Sequence, residues 1–208
     1  MRHWFVVHPD NPQARLLRQA VSIIQNGGIV VYPTDSGYAI GCGLGQKEAA
    51  QRIRRIRQMQ HNQYMSLVCR DLANLAEYAS VSTPIYRLLK AFTPGAYTFI
   101  LKASPELPKM MYHPKRKTLG LRIPNQSVTW ALLEMMEGPM MSTTLKLPGV
   151  EFPLSEPQAI ADLLGHQVDL ILDVGHCDVE PTTVIDLTEN FPKIIREGKG
   201  DITPFRSF

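Results

Sequence analysis

Long apolar runs are missing from this chain of 208 residues, and no segment comes near the roughly eighteen that a bilayer-crossing helix needs. The opening Met1-Arg2-His3-Trp4-Phe5-Val6-Val7-His8-Pro9 holds only four consecutive apolar residues, too few for a secretory signal, so a cytoplasmic protein is expected. Cysteine is scarce and odd in number. Cys42, Cys69 and Cys177 lie far apart without a Cys-x-x-Cys pair, which argues against a disulfide framework and against a thiolate zinc site. His176-Cys177-Asp178 is a metal-capable trio, but adjacent side chains seldom point at one ion, so a solvated loop is expected there and no metal site is assigned. Also absent are a Gly-x-x-x-x-Gly-Lys-Ser/Thr phosphate loop, His-Glu-x-x-His, a Gly-x-Ser-x-Gly elbow and a Gly-x-Gly-x-x-Gly opening a helix after a strand. These absences weigh against the common NTPase, zinc-protease and hydrolase classes.

What is present suits one globular domain over 1–208. Hydrophobic residues make up 44% and charged residues 20%, with 14 glycines and 16 prolines scattered along the chain, so neither a disordered nor a collagen-like polymer fits. The net charge of +3 is mild, but the cations are gathered.

Asn11-Pro12 reads as the start of a helix whose Leu16, Leu17, Ala20, Ile23 and Ile24 recur at helical spacing until Gly27-Gly28. Ile29 to Tyr32 reads as a buried strand leading into the loop Thr34-Asp35-Ser36-Gly37. Gly41, Gly43 and Gly45 read as a glycine loop entering a helix over Gln46–Met59. Its amides suit a phosphate at the helix end, though a plain tight turn explains the glycines equally well. Further strands are expected over Met65–Cys69, Tyr97–Lys102, Leu119–Ile123, Met140–Leu145, Asp169–Asp173, Thr182–Leu187 and Lys193–Glu197. Helices are expected from Asp71 to Ala79, from Ser82 or Thr83 to Phe92, over Val128–Glu137, and from a capping box Ser155-x-x-Gln158 to Leu164. Alternating helices and strands, several of antiparallel character, favour an α/β fold: an open, mixed parallel and antiparallel sheet flanked by helices.

Two basic segments stand out. On the helix Gln51-Arg52-Ile53-Arg54-Arg55-Ile56-Arg57-Gln58 the isoleucines hold one side and four guanidiniums the others, a pattern that is either a solvated face or an anion-binding one. His113-Pro114-Lys115-Arg116-Lys117 is the second, either an exposed loop or a footprint for a polyanion.

The string Val31-Tyr32-Pro33-Thr34-Asp35-Ser36-Gly37-Tyr38 resembles the Tyr-Pro-Thr-x-x-x-Tyr signature of the YrdC/YciO family of threonylcarbamoyl-AMP synthases. Matches follow in order at Thr93-Pro94-Gly95-x-x-Thr98, Leu119-Gly120-Leu121-Arg122-Ile123-Pro124, Pro139 to Thr144, Pro181 to Asp186, and Ile195-Arg196-Glu197-Gly198. Ser142-Thr143-x-x-x-Leu147-Pro148-Gly149 resembles the YciO branch in particular.

The resemblance implies a curved mixed sheet with a positive concave cavity. It implies that ATP, L-threonine and bicarbonate are converted there to threonylcarbamoyl-AMP and pyrophosphate for a tRNA modification, with Mg2+ carried by the triphosphate. It also implies double-stranded RNA, tRNA or rRNA binding as an alternative function. Position by position, it places threonine at Thr34, Arg122, Ser142 and Thr182, and the nucleotide at Arg55, Arg57, Thr144, Lys146 and Arg196. Arg55 and Arg57 are the catalytic candidates, and Lys115, Arg116 and Lys117 the RNA-binding ones. The family's Lys-x-Arg falls on Arg55-Ile56-Arg57, and its Ser-x-Asn on Thr144-Leu145-Lys146. A monomer or homodimer with no membrane contact is expected. Carbamoyl transfer to a different acceptor is a third reading that uses the same cavity.

Overall fold

The computed structural model describes residues 3–60, 63–105, 107, 113, 115–136, 138–189 and 191–206. Its strands are β1 His3–Val6, β2 Val30–Thr34, β3 Gly37–Gly43, β4 Ser66–Val68, β5 Tyr97–Lys102, β6 Thr118–Arg122, β7 Met140–Thr144, β8 Leu170–Asp173, β9 Thr183–Asp186 and β10 Lys193–Arg196. The helices are α1 Ala14–Gln25, α2 Lys47–Ile56, α3 Leu72–Tyr78, α4 Thr83–Phe92, α5 Ser127–Met135 and α6 Pro157–Leu164, and a 3-10 turn spans Thr203–Phe205. All ten strands join one mixed sheet in the order β1-β8-β2-β3-β7-β4-β6-β5-β9-β10. β2, β3, β7 and β4 run antiparallel to their neighbours in turn, whereas β4–β6 and β5–β9 are parallel pairs.

Strand side chains alternate between faces, so the two apolar cores read directly off the strands. On one face Val31, Tyr38, Ile40, Cys42, Leu67, Phe99, Leu101, Leu121 and Ile185 build the larger core with the buried residues of α2, α3, α4 and α6. On the other, Val30, Tyr32, Ala39, Val68, Met140, Leu170 and Leu172 meet Leu17, Ala20, Val21 and Ile24 of α1 and Val128, Leu132 and Leu133 of α5. The second core draws no residue from β5, β6, β9 or β10. Over those strands the face has no helix in its core, and Thr98, Lys102, Thr118, Arg122 and Asp186 stand there with Ile100 and Val184.

Several local expectations are corrected. Gly41 and Gly43 lie inside β3, and only Gly45, at φ +81°, occupies the turn before α2. With three glycines among its seven residues and Ile40 its one β-branched side chain, β3 gives a weak strand signal, and the phosphate-binding glycine loop does not exist as such. Asn11 does not cap α1; its amide goes to His8 Nδ1 at 3.1 Å, and the helix opens after Gln13. Gln158 does not reach back to form a capping box, because its side chain bonds Asp162 four residues on at 2.9 Å. α2 ends at Ile56 rather than Met59, since Gln58 takes a positive φ of 46°. β1, a parallel edge strand on β8, is an element that the sequence pattern does not announce.

Asp71 does cap α3: its Oδ1 accepts from the Asn74 amide at 2.8 Å. That bond, with help from Arg70, holds its carboxyl below the usual value of 3.8. A lowered pKa adds stability above the ordinary value, and the contribution is lost as pH falls through the folded-state value. Asp71→Ala is therefore expected to cost about 1 kcal/mol in urea unfolding at pH 7. The gap from wild type should narrow as pH falls below the usual value of 3.8.

A candidate active site on the bare half of the sheet

Successive outward positions on the uncovered strands converge on a hollow of about 180 Å³, lined by Ser66, Val68, Thr98, Arg122, Ser142, Thr143, Thr144, Thr182, Val184, Arg196 and Tyr64. Most of its wall is short hydroxyl side chains, which leave room and offer hydrogen bonds. Beside it, Gly120 leaves room between Ser66 and Thr98, where a Cβ would stand 2.8 Å from Ser66 Oγ and 3.2 Å from Thr98 Cγ2. Across the strands, the Thr98 and Thr182 hydroxyls bond each other at 2.9 Å.

Two guanidiniums enter this hollow. Arg122, at the end of β6, is only 7% exposed, and its NH2 donates to Asp35 Oδ1 at 2.6 Å and to Ser36 Oγ at 3.2 Å. Its Nε is buried without a partner among the described residues. Asp35 also accepts from the Asn125 amide at 2.8 Å. Arg196 grips Thr182 through Nε and NH2, at 3.0 and 2.8 Å to the carbonyl oxygen and 3.0 Å from NH2 to the hydroxyl. Burial and the proximity of Arg122 push the Arg196 guanidinium below its usual range, and among the described residues it has no carboxylate partner. A second positive group beside an already buried one favours an anion between them.

Of the residues singled out from the sequence, Arg122, Ser142, Thr144, Thr182 and Arg196 are brought together in this wall. Thr34 stands behind it. Its hydroxyl donates to the Gly37 carbonyl at 2.7 Å and accepts from the Ser36 amide at 3.2 Å, shaping the turn that presents Asp35 and Ser36 to Arg122. Arg55, Arg57 and Lys146 do not line the hollow. Arg55 and Lys146 are exposed, while Arg57, at the C-cap of α2, is partly buried with its Nε unpartnered among the described residues, and burial pushes its guanidinium down. The rest of the basic helix is tethered. Arg52 bonds Asp169 and the Gln167 carbonyl, and Arg54 clamps the Gln60 and Gln63 carbonyls.

A wider hollow of about 710 Å³ adjoins the first, sharing Tyr64, Ser66, Thr98 and Val184 with it. Lys102, Arg116 and Lys193 line it along with Asp186 and Glu189. Lys115 and Lys117 are exposed beside Arg116, and His113 Nδ1 accepts from the Arg116 amide at 3.1 Å. Ser66 is a site residue outside every sequence motif, Asp35 and Ser36 fall on variable positions of the Tyr-Pro-Thr signature, and Thr98 is a motif residue to which no role was assigned. For Ser66 and Thr98 the signal lies in polar positions that alternate with buried apolar ones along β4 and β5. The thiols stay out of the chemistry: all three are free, and burial pushes Cys42 up to about 12 and Cys177 to about 11. Among the described residues no helix is long and apolar enough to cross a membrane.

Fold and hollow together define an open-sheet α/β protein with two guanidiniums meeting in a hydroxyl-lined hollow on its uncovered face. The family profile for Sua5, YciO and YrdC, described as telomere recombination, matches residues 22–198, and the chain belongs to that family. It is 51% identical over 205 residues to YciO of Escherichia coli strain K12, covering 99% of this chain and 100% of that one. The crystal structure of E. coli YciO matches with a TM-score of 0.94 over the same shares. A putative threonylcarbamoyl-AMP synthase of Methanocaldococcus jannaschii is 28% identical over 176 residues, 84% of this chain and 82% of that protein. The crystal structure of P. abyssi Sua5 complexed with L-threonine shares the fold, with a TM-score of 0.85 at 24% identity over 94% of this chain and 57% of the other.

The Arg122–Asp35 pair is almost completely buried, with side chains 8% and 9% exposed. Removing one partner leaves an uncompensated charge. Asp35→Asn is expected to lower the unfolding free energy by about 3–5 kcal/mol. Asp35→Asn combined with Arg122→Met should recover most of that loss in the same urea titration, because the stranded charge is gone.

Proposed function

We propose that this chain is a nucleotidyl-transferring synthase that joins L-threonine, bicarbonate and ATP into threonylcarbamoyl-AMP, releasing pyrophosphate. The observation that carries the reading is the meeting of Arg122 and Arg196 in one small hydroxyl-lined hollow with a single neutralising carboxylate, Asp35, among the described residues. Family membership and the L-threonine bound to P. abyssi Sua5 support the choice of substrate.

The chemistry asks for cations more than for acids and bases. The threonine amine takes up bicarbonate with loss of water to give a carbamate, whose oxygen is already anionic. That oxygen attacks the α-phosphorus of ATP, and the bond to the bridging oxygen breaks as pyrophosphate leaves. Two anions must be held together in line, and positive groups that offset their repulsion supply the acceleration. Arg122, Ser142 and Thr182 surround the threonine end, with Thr34 acting through the turn it shapes. Arg196 and Thr144 meet the nucleotide. Arg55, Arg57 and Lys146, outside the wall, are the further cations assigned to the triphosphate, and Mg2+ arrives with the triphosphate as part of the substrate.

Threonine-dependent pyrophosphate release from ATP, measured with bicarbonate present, tests this directly. Arg196→Ala is expected to reduce the rate at least about tenfold, and Arg57→Ala and Thr34→Val by smaller factors. No release by the wild-type protein overturns the reading.

A second reading, RNA binding without synthase activity, is favoured by one observation: Arg116 lines the wider hollow while Lys115 and Lys117 project beside it. Aromatic residues are only 8%, so backbone recognition rather than base stacking would dominate. Binding of double-stranded RNA should then weaken steeply with salt. The triple change of Lys115, Arg116 and Lys117 to Ala should flatten the log–log salt slope by about one unit for each phosphate that is no longer neutralised. An unchanged slope removes this footprint.

A further inference from the structure

Tyr32 sits on β2, two strands away from Ser142 on β7, with β3 between them. Its ring is fully buried in the core beneath α1 and α5, yet its hydroxyl lies 2.6 Å from Ser142 Oγ. To get there the ring must cross β3, and the residue of β3 paired with Ser142 is Gly41. A Cβ on Gly41 would stand 3.1 Å from Tyr32 Cε1 and 2.9 Å from the Met141 carbonyl oxygen, so the missing side chain is what lets the ring pass.

The direction of the bond follows from its partners. Buried and neutral, the phenol of Tyr32 is a stronger hydrogen-bond donor than a serine hydroxyl, and it donates to Ser142 Oγ. Ser142 Oγ therefore accepts from Tyr32, and its one hydrogen must go elsewhere. Among the described residues, the acceptor for that hydrogen is the Ile40 carbonyl at 3.4 Å, at the limit of a hydrogen bond. Because Ser142 lines the hollow, that weakly held hydrogen is available to an occupant at little cost.

We propose that Tyr32 is a positioning residue which, by crossing over Gly41 to donate to Ser142, commits the Ser142 hydroxyl to donating a hydrogen bond to an anionic oxygen bound beside Arg122. The proposal rests on the hollow being an L-threonine site, and its test separates the two ideas.

Calorimetric titration with L-threonine and, separately, with inorganic phosphate compares wild type, Tyr32→Phe, Ser142→Ala and the double variant. Tyr32→Phe is expected to weaken L-threonine binding about fivefold, the scale of one net hydrogen bond. Ser142→Ala should weaken it about tenfold, and the double variant no more than Ser142→Ala alone, because Tyr32 acts only through that hydroxyl. Unchanged binding by Tyr32→Phe, or a double loss equal to the product of the single ones, overturns the proposal. If wild type binds phosphate but not L-threonine, the proposed function falls and the same variants are judged on phosphate. If it binds neither, both ideas fall. Melting curves check that each variant is folded at the assay temperature. Gly41→Ala, which displaces the ring while keeping its hydroxyl, is a second variant and should lose affinity only when Ser142 is present.

Discussion

A guanidinium sealed from water needs an acceptor within reach, and the ion pair between Arg122 and Asp35 organises this molecule around that need. The partners come from the end of β6 and from the turn between β2 and β3, with β7 and β4 lying between those strands in the sheet. Buried as it is, the pair ties the strand that carries the Thr34 turn to the strand that forms one wall of the hollow. The Asn125 amide donates to Asp35, Ser36 Oγ accepts from Arg122, and Thr34 accepts from the Ser36 amide, so the signature turn serves to hold an arginine in place. An ion pair that leaves the arginine's Nε unpartnered among the described residues is a local conflict of the kind that functional sites tolerate.

The hollow itself follows from how the helices are shared between the faces. Ten strands present two faces, and the four helices α2, α3, α4 and α6 contribute to one of them. Only α1 and α5 contribute to the other, over β2, β3, β8 and the near ends of β4 and β7. The positions of β5, β6 and β7 that no helix covers then line the hollow, and there the chain carries Thr98, Arg122, Ser142 and Thr144, joined by Thr182 just before β9. The same alternation that builds the apolar core on one face sets the spacing of the site on the other.

Cationic side chains divide by what the backbone around them requires. Arg52 and Arg54, which share the most conspicuous basic stretch with Arg55 and Arg57, spend their donors on carbonyls and on Asp169 and so stitch α2 to neighbouring loops. Arg122 and Arg196, isolated in the sequence, are the ones that converge. Density of charge along a chain is therefore a poor guide to where a binding site forms, because helix neighbours fan outward while residues from different strands meet.

By itself the sequence determined the class of fold and most of its elements. Apolar alternation in β5, the helical stripe of α1 and the cap at Asp71 are local signals, set within a few residues by backbone geometry and side-chain shape. It also marked Arg122, Ser142, Thr144, Thr182 and Arg196, through an ordered series of motifs rather than through any spacing that announces a site. Only the tertiary structure decided that β3 is a strand, since its glycines carry no local preference and are needed because the Tyr32 ring crosses one of them. It likewise decided that Asp35 neutralises Arg122 and that Arg57 stays outside the hollow. Those outcomes depend on which strands become neighbours, and strand order is settled by burial summed over the whole sheet, a quantity no short stretch of residues contains.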